Sequence, residues 1–261
     1  MERLDVPTLP AAVLYESAIH ARAQVTVAVT LFDYARVVLE ALESVRVQEL
    51  PDVDLVVVDD CSRDGGERQV LDWLREHAAR FGRCTLLRHE VNHGLAAARN
   101  QGFAAAATPY VFVLDADNQL YPRCLGACLE AAASSGADAV YTILEIFGDE
   151  AGVMGTDPWD PELLRRGNYI DAMALVRRSA WERAGGYRRT PVTGWEDYDL
   201  WLTFCEAGLD VVRVPEILCR YRKHQTSMLQ RITNHPDTIA ALHEDMRLHH
   251  PGVELPGASR P

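Results

Sequence analysis

Tyr110-Val111-Phe112-Val113-Leu114-Asp115-Ala116-Asp117-Asn118 is the stretch whose reading decides the fold. Five apolar residues, rich in β-branched and aromatic side chains, stop at two carboxylates spaced i, i+2. A short apolar run bounded in this way reads as a buried strand. In open α/β sheets, ligands gather just beyond the carboxyl ends of the strands. If the backbone stays extended there, Asp115 and Asp117 point to the same side. Two hard oxygen donors so placed suit Mg²⁺ or Mn²⁺, and such a cation suits a diphosphate. The competing reading is an acidic turn that caps the following helix.

The flanking sequence repeats the pattern. Val25–Thr30 and Asp54–Asp60 read as two more buried strands, the second again ending in two acids, and Cys84–Arg88 as another. Helical patterns separate them: one running to about Val47, one over 67–81, and the Ala-rich His93–Ala107. Strands and helices alternating at this length imply right-handed βαβ units and a parallel sheet. After Asp117 the expected elements are a helix over 121–134, a strand over 138–146 and an irregular 148–168 with a short helix near Pro161–Arg165. A strand over Ile170–Val176 and a helix from Ser179 stopped by Gly185-Gly186 follow. A helix opened by Trp195-Glu196-Asp197-Tyr198-Asp199, two short strands near 210–214 and 217–222, and a last helix near 237–249 complete the chain. Residues 1–24 read as an extension with a short helical pattern. The fold class is α/β: one domain with a mostly parallel central sheet flanked by helices.

Composition narrows the function. The 261 residues carry a net charge of −12, which argues against nucleic acid and anionic membrane surfaces as main partners. No stretch approaches the roughly 20 apolar residues that span a bilayer, and Met1–Asp5 lacks the core of a signal peptide. The expectation is a cytoplasmic protein, with peripheral contact at a membrane left open. Six scattered cysteines read as reduced thiols, and Cys124 and Cys128, without a second pair, do not make a zinc site. Arg165, Arg166, Arg177, Arg178, Arg188 and Arg189 make a locally basic half, either a solvated face or a surface for an acidic acceptor.

Three further features sit where ligands bind. Thr30, Asp59 and Asp60 end two strands, where an acid can accept hydrogen bonds from a base or ribose or else cap a helix. In Asn92–Asn100, Gly94 permits close backbone approach at a helix start, and Arg99 lies where it could hold a phosphate or brace the strand-end acids. Glu196, Asp197 and Asp199 crowd the first turn of a helix. They either stabilise that terminus or supply a general base, which the helix dipole would keep ionised near neutral pH.

Taken together, Val57–Ser62, Asn92–Asn100, Leu114–Asp117, Gly185-Gly186-Tyr187, Glu196–Trp201 and Tyr221–Met228 make the chain resemble the family 2 inverting glycosyltransferases of the GT-A fold over about residues 25–228. Residues 1–24 and 229–261, the second a helix and loose tail, lie outside the resemblance. The resemblance implies nucleotide-binding roles for Thr30, Asp59 or Asp60, Arg99 and Asp115, and metal-binding roles for Asp115, Asp117 and His224. It implies that Asp197 is the catalytic base, with Glu196 beside it contacting acceptor or sugar. One departure is Cys61, where the family often has a small or amide residue; the expected effect is on packing alone.

The implied reaction moves a sugar from a nucleotide-diphosphate donor, a UDP-sugar by default, to an acceptor that the sequence does not identify. The expected cofactor is a divalent cation, with an imidazole ligand favouring Mn²⁺ over Mg²⁺. Trp159, Tyr187, Trp195 and Tyr198 are either sugar-stacking or core residues. Residues 188–194 read as a lid. A pyrophosphorylase or a nicotinamide dehydrogenase would need glycines after the first strand, and Thr30–Tyr34 has none. A nucleotide- or sugar-binding module without turnover is the remaining alternative.

Overall fold

The computed structural model describes residues 9–224 and 235–255. Gln225–Met228 of the late motif lie outside them. The elements run β1 (Ala11–Ala18), β2 (Val25–Leu31), α1 (Val38–Arg46), β3 (Val53–Asp59), α2 (Gly66–His77), β4 (Arg83–His89), α3 (Leu95–Ala105), β5 (Tyr110–Asp115) and β6 (Gln119–Leu120). They continue with α4 (Cys124–Ser135), β7 (Ala139–Gly148), β8 (Gly152–Met154), α5 (Pro161–Arg166), β9 (Ala174–Arg177), α6 (Arg178–Ala184), α7 (Glu196–Glu206), β10 (Val211–Lys223) and α8 (Pro236–His249).

The strands form one twisted layer in the order β1-β4-β3-β2-β5-β9-β7-β10-β6, with β8 paired to β7. The block β4-β3-β2-β5 is parallel throughout, as is β7 with β10. The apolar runs exist because both faces are covered. Along β5, Phe112 and Leu114 join the core beneath α1, α2 and α4, while Val111 and Val113 join the core beneath α3, α6 and α7. The same alternation turns Thr30 and Asp115, register partners at the ends of β2 and β5, toward the α3 face.

Four expectations need correction. The N-terminal segment is a strand, not a helix. Ala11–Ala18 pairs antiparallel with β4, whose outer edge would otherwise carry unpaired amides, and this long-range pairing overrides the local pattern. The strand expected from Ile170 begins only at Ala174, because the Asp171 side chain takes the Met173 N–H at 2.9 Å and makes a turn instead. The two late strands are one, bulged between Val214 and Ile217, where Pro215 can donate nothing to the ladder. Cys61 is more than a packing change, since its φ of 67° is in the left-handed region that small and amide residues adopt most readily.

α3 sets the height of everything that follows. A Cβ at Gly102 would lie 2.8 Å from the Ala28 Cβ, so α3 sits directly on β2. Gly102→Val should therefore cost about 1–3 kcal/mol in urea unfolding, the usual scale for overpacking. A variant of unchanged midpoint would show that this contact is not tight.

Candidate active site

The site lies at the carboxyl ends of β2 and β5. Thr30 Oγ1 donates to Asp115 Oδ1 at 2.7 Å, and Arg99 Nη2 reaches both Asp115 oxygens at 3.2 and 2.9 Å. Arg99 is only 4% exposed and lies over the Tyr187 ring, 5.4 Å from its centre. Burial works against its charge, but Asp115 and the nearby Asp197 and Glu196 hold it firmly protonated. Of the two roles expected for Arg99, the one seen is bracing a strand-end acid.

Asp117 departs from the extended geometry. β5 stops at Asp115, Asn118 N–H returns to the Asp115 carbonyl, and Asp117 lies in the turn. Its Oδ2 is 3.1 Å from His224 Nε2, just past the end of β10. Arg222 fastens the two segments, its Nε donating to the Asp117 carbonyl and its N–H to Asn118 Oδ1. Burial, then the charge of Asp115, pushes the Asp117 carboxyl up against the pull of His224. A cation would relieve both effects. Among the described residues, however, no three His, Cys, Asp or Glu side chains converge well enough to hold a metal. Asp115 is engaged by Thr30 and Arg99, and Asp117 and His224 by each other. Tyr34, not singled out from sequence, sets its ring edge-on to His224 at 5.8 Å.

The strand-end acids of β3 are satisfied internally. Asp59 is fully buried, pairs with Arg88 and accepts the Ser62 N–H at 3.1 Å; burial pushes its carboxyl up. Asp60 accepts the His93 and Gly94 N–H groups at 2.9 and 2.7 Å and contacts His89 Nδ1 at 2.7 Å. This chain's own carboxylate thus takes the two amides that lead into α3.

The three acids of α7 separate. Asp199 is a buried ion-pair partner of Arg188 and His250, tying α7 to α8. Glu196 turns back to accept the Gly194 N–H at 3.1 Å and is 4% exposed. Asp197 accepts the Tyr198 N–H at 2.9 Å and Asn168 Nδ2 at 3.1 Å. The helix start does not lower its pKa: burial raises it, outweighing Arg99 and the two hydrogen bonds. Residues 188–194, expected as a lid, are tied at one end by Arg188 to Asp199 and Asp245 and at the other by Gly194 to Glu196.

Of the candidate stacking residues, Tyr198 is core, with its hydroxyl on the Leu164 carbonyl, and Tyr187 is 3% exposed. Within the basic half, Arg165 pairs with Glu162, Arg166 with Glu254, Arg177 with Asp138 and Arg188 with Asp199, while Arg178 donates to the Ala106 carbonyl.

Asn168 and Asp171 escaped notice in the sequence, where Asn168 is a lone polar residue in the irregular 148–168 and Asp171 sits inside the strand expected over Ile170–Val176. Asp171 feels the charges of Asp197 and Asp115, and burial with those charges raises its carboxyl to about 7.

Residues 26–190 match the family described as Glycosyl transferase family 2. The chain belongs to that family. It is therefore a glycosyltransferase, and its layered sheet is the GT-A fold. It is 29% identical over 218 residues to EpsE of Bacillus subtilis (strain 168), provisionally named a glycosyltransferase, covering 80% of this chain and 76% of EpsE. Among solved structures it resembles S. aureus TarS 1-349 in complex with UDP-GlcNAc, with a TM-score of 0.73 and 16% identity over 88% of this chain. The mannosyltransferase PcManGT from Pyrobaculum calidifontis, in complex with GDP-Man and Mn²⁺, gives a TM-score of 0.62 and 21% identity over 88% of this chain. The glycosyltransferase spans 66% of the TarS chain and 63% of PcManGT, just under two thirds of each.

A carboxylate whose folded pKa is raised binds protons more tightly in the native state. Its stabilising effect is complete below the unfolded value and is lost as pH rises through the folded one. For Asp171 that window runs from 3.8 to about 7. In thermal melts, Asp171→Asn should match the parent near the acid end of this window and melt higher than it at pH 8. A gap of the same size at both ends would contradict the raised carboxyl.

Proposed function

We propose that the enzyme transfers a sugar from a UDP-sugar to an acceptor nucleophile by metal-dependent single displacement with inversion, and that Asp197 is the general base. The observation that carries this reading is the shared Arg99: Thr30 and Arg99 both hold Asp115, Asp117 with its His224 contact follows two residues on, and the charge of Asp197 acts on the same Arg99.

On this reading Thr30, Arg99 and Asp115 hold the nucleotide, while Asp59 and Asp60 brace the loops beside them. Asp117 and His224 would hold the cation, preferably Mn²⁺ because one donor is imidazole, with diphosphate oxygens and water filling the other positions. When bound, the cation supplies charge neutralisation on the departing diphosphate. Asp197 accepts the acceptor's proton as its nucleophilic atom bonds to the anomeric carbon. The carbon–oxygen bond to the diphosphate breaks, and the electron pair leaves with the nucleotide. Glu196, held by the Gly194 amide, shapes the turn that presents Asp197. Asn168 fixes the carboxylate's orientation.

Calorimetric titration with UDP should give clear heat with Mn²⁺ and much weaker binding with EDTA, and Asp117→Ala should behave like EDTA treatment. Equal affinity in all three would remove the cation from donor binding.

Asp197→Asn should reduce donor turnover to UDP by about 10²–10⁴-fold while leaving UDP affinity within a few fold, because a base acts only in the transition state. The base must be ionised and its carboxyl is raised, so the parent's rate should fall on acidification at a pH above the ordinary Asp value of 3.8. If Glu196→Gln abolishes turnover and Asp197→Asn does not, the base is the neighbour.

A further inference from the structure

α8 is joined to α7 by charge as well as by apolar packing. Leu242 and Met246 are its buried apolar residues, and Met246 belongs to the same core as Tyr198, Trp201 and Phe204 of α7. His250, the residue after α8, is 4% exposed and lies between two carboxylates of α7. Its Nε2 is 3.0 Å from Asp199 Oδ1, and its Nδ1 is 3.0 Å from Glu206 Oε1. A neutral imidazole has one N–H and one lone pair, so one of its nitrogens would face a carboxylate with nothing to donate. Only the imidazolium donates to both. Burial pulls the pKa of His250 down, but the hydrogen bonds and charges of Asp199 and Glu206 push it above the ordinary 6.5.

The other charged groups around His250 do not replace its proton. Arg188, from the segment between α6 and α7, pairs with the same Asp199 and with Asp245 of α8. His249 sets its Nδ1 2.9 Å from the Asp245 carbonyl oxygen. His93, ahead of α3, and the exposed Arg189 line the same surface cleft as His250. Asp199, Glu206 and Asp245 thus share one arginine, Arg188, and the second positive charge paired with this set is on His250.

α8 also touches the turn that opens α7. Trp195, the N-cap of α7, has a φ of 62°, a left-handed conformation that bulky residues rarely adopt. Such a conformation persists only where its surroundings over-determine it. The Trp195 ring stands edge-on to Tyr198 at 5.7 Å and packs at 5.2 Å on His243 of α8. Glu196 and Asp197 follow directly in the chain, so whatever holds Trp195 in place also aims them.

We propose that His250 is a positioning residue for glycosyl transfer: as an imidazolium it locks α8 onto α7, and the locked α8 holds the Trp195 turn that presents Asp197. The effect on turnover rests on the reading of Asp197 as the general base; the lock itself does not. A histidine raised in the folded state stabilises fully below its ordinary value of 6.5, and that contribution is lost as pH rises through the folded value. The lock is therefore closed on the acid side and opens on the alkaline side.

The test uses the full chain. An NMR titration of the histidine ring protons, with His250 assigned by its absence from His250→Gln, should place its midpoint above 6.5. Glu206→Gln removes one of the two carboxylates and should lower that midpoint. Amide exchange, corrected for intrinsic rates, should show protection of α8 and of the first turn of α7 falling together through the same midpoint. The fall should be about tenfold for each pH unit by which the midpoint exceeds its unfolded value. His250→Gln should show the low protection at every pH. With UDP- and GDP-sugars as donors, turnover should decline through this midpoint in the parent, decline earlier in Glu206→Gln and lose this alkaline limb in His250→Gln, while nucleoside diphosphate affinity stays within a few fold.

A midpoint at or below 6.5, or protection of α8 that ignores it, overturns the lock. Opening of α8 that leaves the first turn of α7 and the turnover profile unchanged overturns the positioning role. A midpoint and protection as expected, with turnover that survives Asp197→Asn, overturn the base reading and leave the lock standing.

Discussion

The buried guanidinium of Arg99 is the constraint on which the site depends. A cation this deep must be paired, because breaking one partner of a buried pair costs about 3–5 kcal/mol. Its carboxylate is Asp115 at the end of β5, and Thr30 from β2 shares that carboxylate. The pairing works only if α3 lies at one height over the sheet. The close approach of Gly102 to Ala28 sets that height, one turn from Arg99 along the same helix. Tyr187 extends the constraint to the segment between α6 and α7, since its ring lies under the guanidinium while Asn100 holds its backbone on both sides. Two strands, one helix and the approach to the acidic helix are thereby locked around one charge.

The cleft's groups differ in how completely they are satisfied. Asp59 and Asp60 spend their oxygens on Arg88, Ser62 and the His93 and Gly94 amides just ahead of α3, which makes their loops rigid. Asp117 keeps His224 but faces Asp115, Asp171 takes the Met173 amide but feels Asp197 and Asp115, and the Tyr187 hydroxyl makes no hydrogen bond within the protein. Rigid, internally satisfied groups position a ligand at little entropic cost, while unsatisfied ones gain when it arrives.

What the sequence revealed follows the same physics. Val25–Thr30, Asp54–Asp60 and Tyr110–Leu114 were readable as strands because burial on both faces forces a continuous apolar run. The partners at the strand ends were only partly legible: bracing of a strand-end acid was one of two roles open to Arg99, but the sequence grouped Thr30 with Asp59 and Asp60, whereas Thr30 bonds Asp115 and Asp59 turns to Arg88. β1 was not, because most of its side chains are exposed and its only reason to be extended is the edge of β4, more than sixty residues away. Asp171 was invisible for a related reason. A single aspartate inside an expected strand carries no pattern, and its setting comes from Asp115 and Asp197, whose charges reach it from opposite directions along the chain.

The acids of α7 show why a local rule failed. Sequence places Glu196, Asp197 and Asp199 in one helical turn, where the dipole argument treats them alike and predicts ionised groups. The fold sends them into three environments. Asp199 meets Arg188 and His250, and Asp199 with Glu206 pushes that imidazole's pKa up against its burial. Glu196 meets a backbone amide. Asp197 is enclosed among other carboxylates, and desolvation outweighs the helix terminus. A dipole contributes about 0.3–1 kcal/mol at an exposed terminus, whereas burial without a direct counter-ion can move a carboxyl by several pKa units. A carboxylate raised in this way is a stronger proton acceptor than an exposed aspartate. Burial raises Glu196 as well, so the local rule fails for both acids, and what separates them is their partners: the Gly194 amide for Glu196, the Tyr198 amide and Asn168 for Asp197.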